Sequence, residues 1–227
     1  MVDLKLNGRT ALVTGSTRGI GLAIAEVMEQ YGARVIRHNS QIANLSSVED
    51  TSRLLTEVGP IDILVLNASC QYYRTVEEKF DKNEFVDQMN VNLRSSLQLI
   101  HGVIPTMREK KWGRVLAIGS VNQYKPSPRL AIYAATKAAL SNLMQNCARV
   151  YAADGITFNT LAPGVITTDR NREALADPAT VERLLNAIPA RRFGTPTDCA
   201  GLALLLCSNA GAYITGTDIP VAGGMHL

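Results

Sequence analysis

The sequence predicts an α/β protein in which one doubly wound parallel sheet carries helices on both faces. Short apolar runs alternate with segments of helical periodicity along all 227 residues, and no long linker or repeat interrupts them. The predicted strands are residues 10–13, 34–37, 61–66, 113–118, 156–161 and 218–221. The predicted helices are residues 19–31, 48–58, 80–108, 133–153, 179–186 and 196–208. The length and a hydrophobic content of 46% fit a single domain, residues 1–227, with a substantial core.

Charge, hydropathy and cysteine usage exclude several classes of partner. The net charge of +3 comes without a block of Lys or Arg, so neither nucleic acid nor an anionic membrane is predicted as a partner. No apolar run approaches the ~18 residues of a membrane span, and residues 2–9 lack the apolar core of a signal peptide. The 4 cysteines lack Cys-x-x-Cys spacing and the 3 histidines are scattered, which indicates reduced thiols, no metal site and a cytoplasmic protein.

The first predicted strand leads into a glycine-rich turn and then into an Ala- and Ile-rich helix. Gly15, Gly19 and Gly21 give the spacing Gly-x-x-x-Gly-x-Gly. Glycines at such a turn let the backbone approach a pyrophosphate, whose charge lies at the helix N-terminus. The spacing differs from the Gly-x-Gly-x-x-Gly of the standard dinucleotide fingerprint, and a tight turn without a ligand is the alternative for the glycines alone.

Tyr133 and Lys137 are four residues apart, so they share one face of a predicted helix. A phenol alone titrates near ~10, and a fixed ammonium beside it favours the phenolate and pulls its pKa toward neutrality. Next to a phosphate-binding turn, this pair predicts general acid–base chemistry.

The glycine turn behind Thr14 and the Tyr133/Lys137 pair together resemble the short-chain dehydrogenase/reductase family. The resemblance implies a Rossmann-like fold and hydride transfer between nicotinamide C4 and a carbonyl or carbinol carbon. It also implies that Ser120, at the end of a strand and 13 residues before Tyr133, is the catalytic serine. In reduction Tyr133 would donate the proton while Ser120 holds the substrate oxygen.

The family resemblance assigns two further roles around this group. Lys137 would bind the nicotinamide ribose and lower the pKa of Tyr133. Asn92 matches the structural and proton-relay asparagine, which would link Lys137 to solvent through a water. The nearby Asn90 is the alternative match, or a polar residue on the helix face.

The resemblance also implies the nucleotide contacts. Asn67 and Ala68 stand within the family's usual Asn-Asn-Ala-Gly, where Ser69 replaces the glycine, and residues 162–168 match the segment that covers the nicotinamide amide. The residues expected to contact the cofactor are Gly15, Ser16, Arg18, Gly19, Ile20, Gly21, Arg37, His38, Asn39, Ser40, Asn44, Leu45, Asn67, Ala68, Tyr133, Lys137, Pro163, Gly164, Ile166 and Thr168.

The residues near the adenosine end favour NADP over NAD. NAD-selective family members usually place an aspartate at the end of the second strand, where this chain has Asn39 after Arg37 and His38. Arg18 resembles the basic residue of NADP users, and a 2′-phosphate with roughly −1.5 to −2 charges suits an arginine. NADP is therefore the expected cofactor and NAD the alternative; solvated surface charges are the alternative role for Arg18 and Arg37.

The segment after the second strand, residues 37–47, is shorter than in the family, which inserts a helix and a third strand here. We expect residues 42–45 to persist as a remnant strand and the adenosine end of the cofactor site to be unusually open. A right-handed crossover normally needs about a dozen residues or more, so the pairing of this segment is left open.

The two longest predicted helices carry more apolar residues than one sheet face needs. These residues are Val86, Met89, Leu97, Ile100, Leu140, Leu143 and Met144. In the family the corresponding helices pair about two-fold axes, which implies a homotetramer or, failing that, a homodimer. Ordinary packing on the sheet is the alternative.

Polar residues are expected to rim the substrate site, and residues 167–188 to form a lid over it. The rim comprises Gln71, Tyr72, Arg74, Asn122, Gln123 and Tyr124. A pocket for a long acyl chain or steroid needs apolar walls, whereas aromatic residues make up only 5% of the chain. The polar rim favours a sugar, polyol or small keto acid, with Arg74 or Arg170 as a carboxylate ligand. Residues that merely face solvent at a crevice mouth are the alternative.

The sequence therefore predicts an NADP(H)-dependent oxidoreductase acting on the CH–OH group of a small polar substrate. A 3-oxoacyl-thioester (acyl carrier) reductase shares every catalytic motif and is the main alternative. A non-catalytic nucleotide-sensing protein is a second alternative. The presence of Ser120, Tyr133 and Lys137 argues against it, because a sensor need not keep them. A lyase or epimerase with bound nicotinamide, which would show no net cofactor turnover, is a third.

Overall fold

Six parallel strands form the sheet of the computed structural model, which describes residues 2–227. The strands are β1 (Thr10–Val13), β2 (Arg34–Arg37), β3 (Ile63–Leu66), β4 (Gly113–Ile118), β5 (Ile156–Pro163) and β6 (Asp218–Val221). The helices are α1 (Gly19–Gln30), α2 (Val48–Val58), α3 (Lys82–Met89), α4 (Ser95–Lys110), α5 (Ala131–Tyr151), α6 (Pro178–Ala187) and α7 (Pro196–Cys207). The predicted α/β class and each predicted strand are confirmed, with small shifts at the ends.

The strand order places a crevice beside β1. The order across the sheet is β2-β1-β3-β4-β5-β6, so the chain steps outward from β1 to β2 and then crosses to the other side at β3. Ligands of such sheets bind beyond the carboxyl ends of the strands at this reversal point. Without its outermost strand and renumbered, the Rossmann order 3-2-1-4-5-6 reads 2-1-3-4-5; this sheet has that order, with β6 added beside β5.

Alternate residues of the central strands enter two separate cores. Leu12, Leu64 and Val115 pack on the side of α2, α4 and α5. Val13, Ile63 and their neighbours pack on the side of α1 and α7. Because successive side chains of a strand point to opposite faces, a strand buried on both faces reads as a continuous apolar run. The apolar runs in the sequence have this origin.

The helix predicted over residues 80–108 is interrupted by a π-helical stretch, Asn90–Arg94, between α3 and α4. A wider turn of this kind shifts the phase of the helix and often occurs at functional sites. The stretch contains Asn92, whose side chain is 1% exposed. The apolar periodicity of residues 80–108 carries no sign of this interruption.

Residues 38–47 form no strand, so the prediction of a remnant strand over residues 42–45 is wrong. Ten residues are too few for a crossover that returns parallel to β2. Ala43 and Leu45 instead insert into the core beside α2 and α4. The Arg94 guanidinium holds the segment in place, because Nη2 donates to the Leu45 carbonyl at 2.7 Å and Nη1 to the Ser47 carbonyl at 3.4 Å.

Packing on the sheet accounts for much of the apolar surplus on the long helices. Ile100, Leu140 and Met144 are each 1% exposed and belong to the core. Val86 and Leu97, by contrast, remain 42% and 39% exposed.

None of the helices over residues 2–227 combines the length and the apolar character that a bilayer crossing requires. Within the same residues, His, Cys, Asp and Glu side chains form no group of three suited to a metal ion.

Candidate active site

A cavity of about 1300 Å³ opens at the carboxyl ends of the strands. Ser120, Tyr133 and Lys137 line one part of it, and the glycine turn lines another. Among the expected nucleotide contacts, Ser16 and Arg37 are absent from its wall. The fold thus gathers into one cavity residues from distant parts of the chain, as the order of the strands predicts.

The glycine turn packs directly against the end of β3. The Thr14 hydroxyl accepts from the backbone amides of Asn67 and Ala68, both at 3.0 Å, and the Asn67 side chain donates to the Thr14 and Gly15 carbonyls. A Cβ on Gly21 would collide with Nδ2 of Asn67 and with the Gly15 carbonyl, while Gly15 itself has φ +63°. Glycine is therefore required at both positions, and the backbone is left bare toward the cavity.

His38 is buried behind the turn and links it to the shortened segment. Its Nδ1 accepts from the Gly15 amide at 3.4 Å, and Nε2 lies 3.0 Å from the Ala43 carbonyl, which assigns the proton to Nε2. Burial lowers the pKa of His38, partly offset by the hydrogen bond to Ala43. Ser16 pairs with the His38 backbone in both directions: its amide donates to the His38 carbonyl, and its hydroxyl oxygen accepts from the His38 amide.

The two arginines expected at the adenosine end differ in their surroundings. Arg37 pairs with Glu29 through Nη2 at 2.7 Å and Nε at 3.2 Å and lies outside the cavity, contrary to expectation. A carboxylate eight positions earlier on α1 thus occupies the guanidinium. Arg18 is exposed at the cavity wall and forms no ion pair within residues 2–227. Of the two, Arg18 is therefore the free cation at this end.

The three expected catalytic side chains meet at the end of β4. Lys137 is 1% exposed, and its Nζ donates to the Ile118 carbonyl at 2.7 Å and lies 5.6 Å from the centroid of the Tyr133 ring. The Ser120 hydroxyl accepts from the backbone and side-chain amides of Asn122 at 3.2 and 3.3 Å. Since both lone pairs of its oxygen are engaged, the Ser120 hydroxyl can act only as a donor toward the cavity, where the Tyr133 hydroxyl lies beside it.

Burial governs the acid–base properties of this group. Burial raises the pKa of Tyr133, while the Arg170 charge and hydrogen bonds to Ser120, Ser69 and Arg170 act to lower it. Burial also lowers the pKa of Lys137 to about 7. Desolvation disfavours the charged form of both groups, and the Arg170 charge opposes its effect on the phenol. The expectation that Lys137 lowers the pKa of Tyr133 stays a prediction.

Asn92 lies behind the cavity and fastens two elements together. Its Oδ1 accepts from the Cys70 amide at 2.9 Å, and its Nδ2 donates to the Cys70 carbonyl and to the Thr136 hydroxyl. Three hydrogen bonds within the protein thus connect the segment that follows β3 with α5 through Asn92. A relay from Asn92 to Lys137 through water stays a prediction.

At the substrate end, Arg170 reaches from the segment after β5 to Ser69. Nη1 donates to the Ser69 hydroxyl at 2.9 Å and Nη2 to its carbonyl at 2.6 Å. Arg74, the other expected carboxylate ligand, lies outside the cavity wall because it pairs with Glu84 at 2.7 Å. Tyr72 donates to Asp87, and Gln123 turns inward, so neither lines the cavity.

Several wall residues were not foreseen from the sequence. The unexpected ones include Cys70, Tyr73, Asp87, Lys125, Arg129 and Met225. Asp87 lies on α3, and the others reach the cavity through segments outside the helices and strands, whose path has no periodic signal.

The cavity suits a dinucleotide on its own geometry. The bare turn faces the N-terminus of α1, whose first turn carries no acidic residue, and a free guanidinium stands beside it. Unpaired amides at a helix N-terminus favour a phosphate. At the other end of the cavity, the buried Lys137 amine and Tyr133 phenol offer a nitrogen and a hydroxyl to a ligand.

Comparison with known proteins agrees with this geometry. A family model described as enoyl-(acyl carrier protein) reductase matches residues 42–226. Dehydrogenase/reductase SDR family member 4 of Sus scrofa is 34% identical over 249 residues, covering 96% of this chain and 88% of that protein.

Two further similar proteins are named for different substrates. The 3-oxoacyl-(acyl-carrier-protein) reductase FabG of Haemophilus influenzae is 36% identical over 244 residues, which cover 98% of this chain and 100% of that protein. The crystal structure of a gluconate 5-dehydrogenase from Burkholderia cenocepacia in complex with NADP and tartrate matches with a TM-score of 0.91 at 30% identity. That match covers 98% of this chain and 96% of the other.

The fold, the cavity and these likenesses define an NAD(P)-dependent oxidoreductase. The chain belongs to the short-chain dehydrogenase/reductase family, as the motifs in its sequence predict.

The buried imidazole predicts a loss of stability in acid. The unfolded chain takes up a proton at His38 near pH ~6.5, whereas the folded protein resists it, so this stabilisation is complete above that pH and declines as the pH falls below it. Acidification from about pH 7.5 to about pH 5.5 should lower the melting temperature of the wild type more than that of His38→Gln. Each kcal/mol of folding stability that the wild type loses through His38 corresponds to a difference of about 2–4 °C.

Thermal unfolding followed by circular dichroism at the two pH values measures this difference. His101→Gln, on the exposed face of α4, is the matched control and should behave as the wild type. An equal acid shift in wild type and His38→Gln would contradict the assignment of a neutral His38.

Proposed function

We propose that the protein is an NADP(H)-dependent enzyme that interconverts a carbonyl and a secondary alcohol on a sugar, polyol or small keto acid. The observation that carries the substrate class is the Arg170 guanidinium, which Ser69 holds beside the Tyr133 hydroxyl. A guanidinium binds carboxylates with two parallel hydrogen bonds, and a desolvated acyl chain would gain nothing from it.

The catalytic roles follow from the hydrogen bonds of each residue. The nicotinamide, when bound, supplies or accepts the hydride. In reduction Tyr133 donates its phenolic proton to the substrate oxygen, and the Ser120 hydroxyl donates to the same oxygen and stabilises the charge that develops there. Lys137 gives one of its three N–H donors to Ile118 and retains two for the cofactor ribose.

The proton-donor role of Tyr133 is tested by Tyr133→Phe. Losing a general acid should lower kcat by about 10²–10⁴-fold, with the NADPH dissociation constant nearly unchanged, measured by cofactor absorbance and fluorescence titration. Lys137→Met should lower kcat and also weaken NADPH binding. Tyr151→Phe, at the far end of the same helix, is the control. A Tyr133→Phe enzyme that keeps more than a few per cent of kcat would refute the role.

The preference for NADP is proposed to rest on Arg18, which carries no partner among residues 2–227. Removing a charge-assisted contact of about 1.5–3 kcal/mol should lower kcat/KM for NADPH about 10–100-fold in Arg18→Ala, with little change for NADH. The matched control is Arg37→Ala, because Glu29 already occupies that guanidinium. A wild type with higher kcat/KM for NADH than for NADPH would reject the proposal.

The substrate class is tested on a panel of sugars, polyols, keto acids and acetoacetyl thioesters, with cofactor absorbance as the readout. Arg170→Met should raise KM for carboxylated substrates about tenfold or more and spare neutral ones. Arg172→Met, two residues away in the same segment and paired with Asp169, is the control.

Two outcomes of this panel favour other functions. Turnover of the thioesters alone would support a 3-oxoacyl-thioester reductase, in line with the name of the Haemophilus relative. Tight NADPH binding without turnover of any substrate would support a nucleotide-sensing protein.

The proposed assembly is a homotetramer or, failing that, a homodimer. Its support is the exposure of Val86 and Leu97 on α3 and α4, since apolar side chains on neighbouring helices favour burial against a second copy. Light scattering at micromolar concentration should give two or four times the 24.5 kDa mass of the chain. A monomeric mass would contradict this assembly.

A further inference from the structure

The Asp218 carboxylate joins two elements of the candidate site. Asp218 begins β6 and pairs in register with Thr160 of β5. Its Oδ2 accepts from the Gln123 side-chain amide and from the Ser141 hydroxyl, while Oδ1 is buried with no partner among the described residues. Because the Gln123 amide and the Ser141 hydroxyl both donate to Oδ2, they hold the half-buried carboxylate in one orientation.

The first connection runs from Asp218 to Ser120. Gln123 donates through Nε2 to Asp218 and accepts through Oε1 from the Ser120 backbone amide at 3.0 Å. Residues 120–123 form a capping box, in which the Ser120 hydroxyl in turn accepts from Asn122. The Gln123 amide therefore transmits the position of the carboxylate to the backbone of the serine.

The second connection runs from Asp218 to α5. Ser141 follows Lys137 by four residues, as Lys137 follows Tyr133, so all three side chains lie on one helical face. Ser141 is 7% exposed, which leaves its hydroxyl little choice of partner other than the carboxylate.

We propose that Asp218, through Gln123 and Ser141, is a positioning residue that sets Ser120 against the Tyr133–Lys137 face of α5. The proposal rests on the catalytic roles proposed for Ser120 and Tyr133. Asp218 touches none of the reacting groups, and its effect is on geometry: a reaction that needs two hydrogen-bond donors on one oxygen loses rate when their separation changes.

Exchanging the amide and the carboxylate between positions 123 and 218 tests the contact between these two side chains. Gln123→Glu sets two carboxylates against each other and should lower kcat about tenfold or more, the order of loss expected from misplaced groups. Asp218→Asn alone keeps an acceptor for both donors and should stay within about threefold of wild type. In the Q123E/D218N double variant the amide and carboxylate have changed places, and kcat should recover to within about threefold.

Two measurements separate positioning from general damage. The NADPH dissociation constant should stay within about twofold of wild type in all three variants, because the turn lies at the other end of the cavity. Amide NMR should show the Ser120 signal shifted and its hydrogen exchange accelerated in Gln123→Glu, and both restored in the double variant.

Asp62→Asn is the matched control for loss of a buried carboxylate. Asp62 lies at the amino end of β3 and accepts from Thr10 and Lys110, so this variant should lower the melting temperature while leaving kcat and the Ser120 amide unchanged.

Three outcomes would overturn the proposal. They are a Gln123→Glu variant with unchanged kcat and Ser120 amide, a double variant worse than either single one, and a loss of NADPH affinity equal to the loss of kcat. If the wild type turns over no substrate of the panel, the proposed function fails, and the Ser120 amide still decides whether the carboxylate positions that residue.

Discussion

Hydrogen bonds between Thr14 and Asn67 hold the carboxyl ends of β1 and β3 together, and the shape of the cavity depends on them. Asn67 donates to two carbonyls of the turn and also fills the space beside Gly21. The turn, the end of β3 and the N-terminus of α1 therefore form one close-packed unit. Any displacement of Asn67 would move all three, and the bare backbone that faces the cavity would move with them.

The cations of the site are distributed by their access to solvent. Arg18 and Arg170 are exposed at separate parts of the cavity wall, where a charged ligand can exchange its water for a guanidinium. Lys137 lies between strand and helix with almost no exposure, and burial there lowers its pKa to about 7. Its protonation is thus sensitive to any charge that enters the cavity.

The sequence predicted the parts of the site that local patterns encode. The glycine turn, the strand bounds and the spacing of Ser120, Tyr133 and Lys137 are all local or fixed by the order of strands. Contacts between distant residues carry no such pattern: Ser69 meets Arg170 across 101 positions and Gln123 meets Asp218 across 95. The pairing of Arg37 with Glu29 likewise depends on how α1 lies beside β2, which periodicity does not determine.

The missing outer strand leaves β2 as a free edge of the sheet. An exposed strand edge presents unpaired amides and carbonyls that can recruit strands from other molecules and begin aggregation. This edge is only four residues long and bears an arginine at each end, Arg34 and Arg37. Short length and charged side chains both disfavour edge-to-edge pairing. Arg34 and Arg37 thus lie where they protect the shortened sheet from self-association.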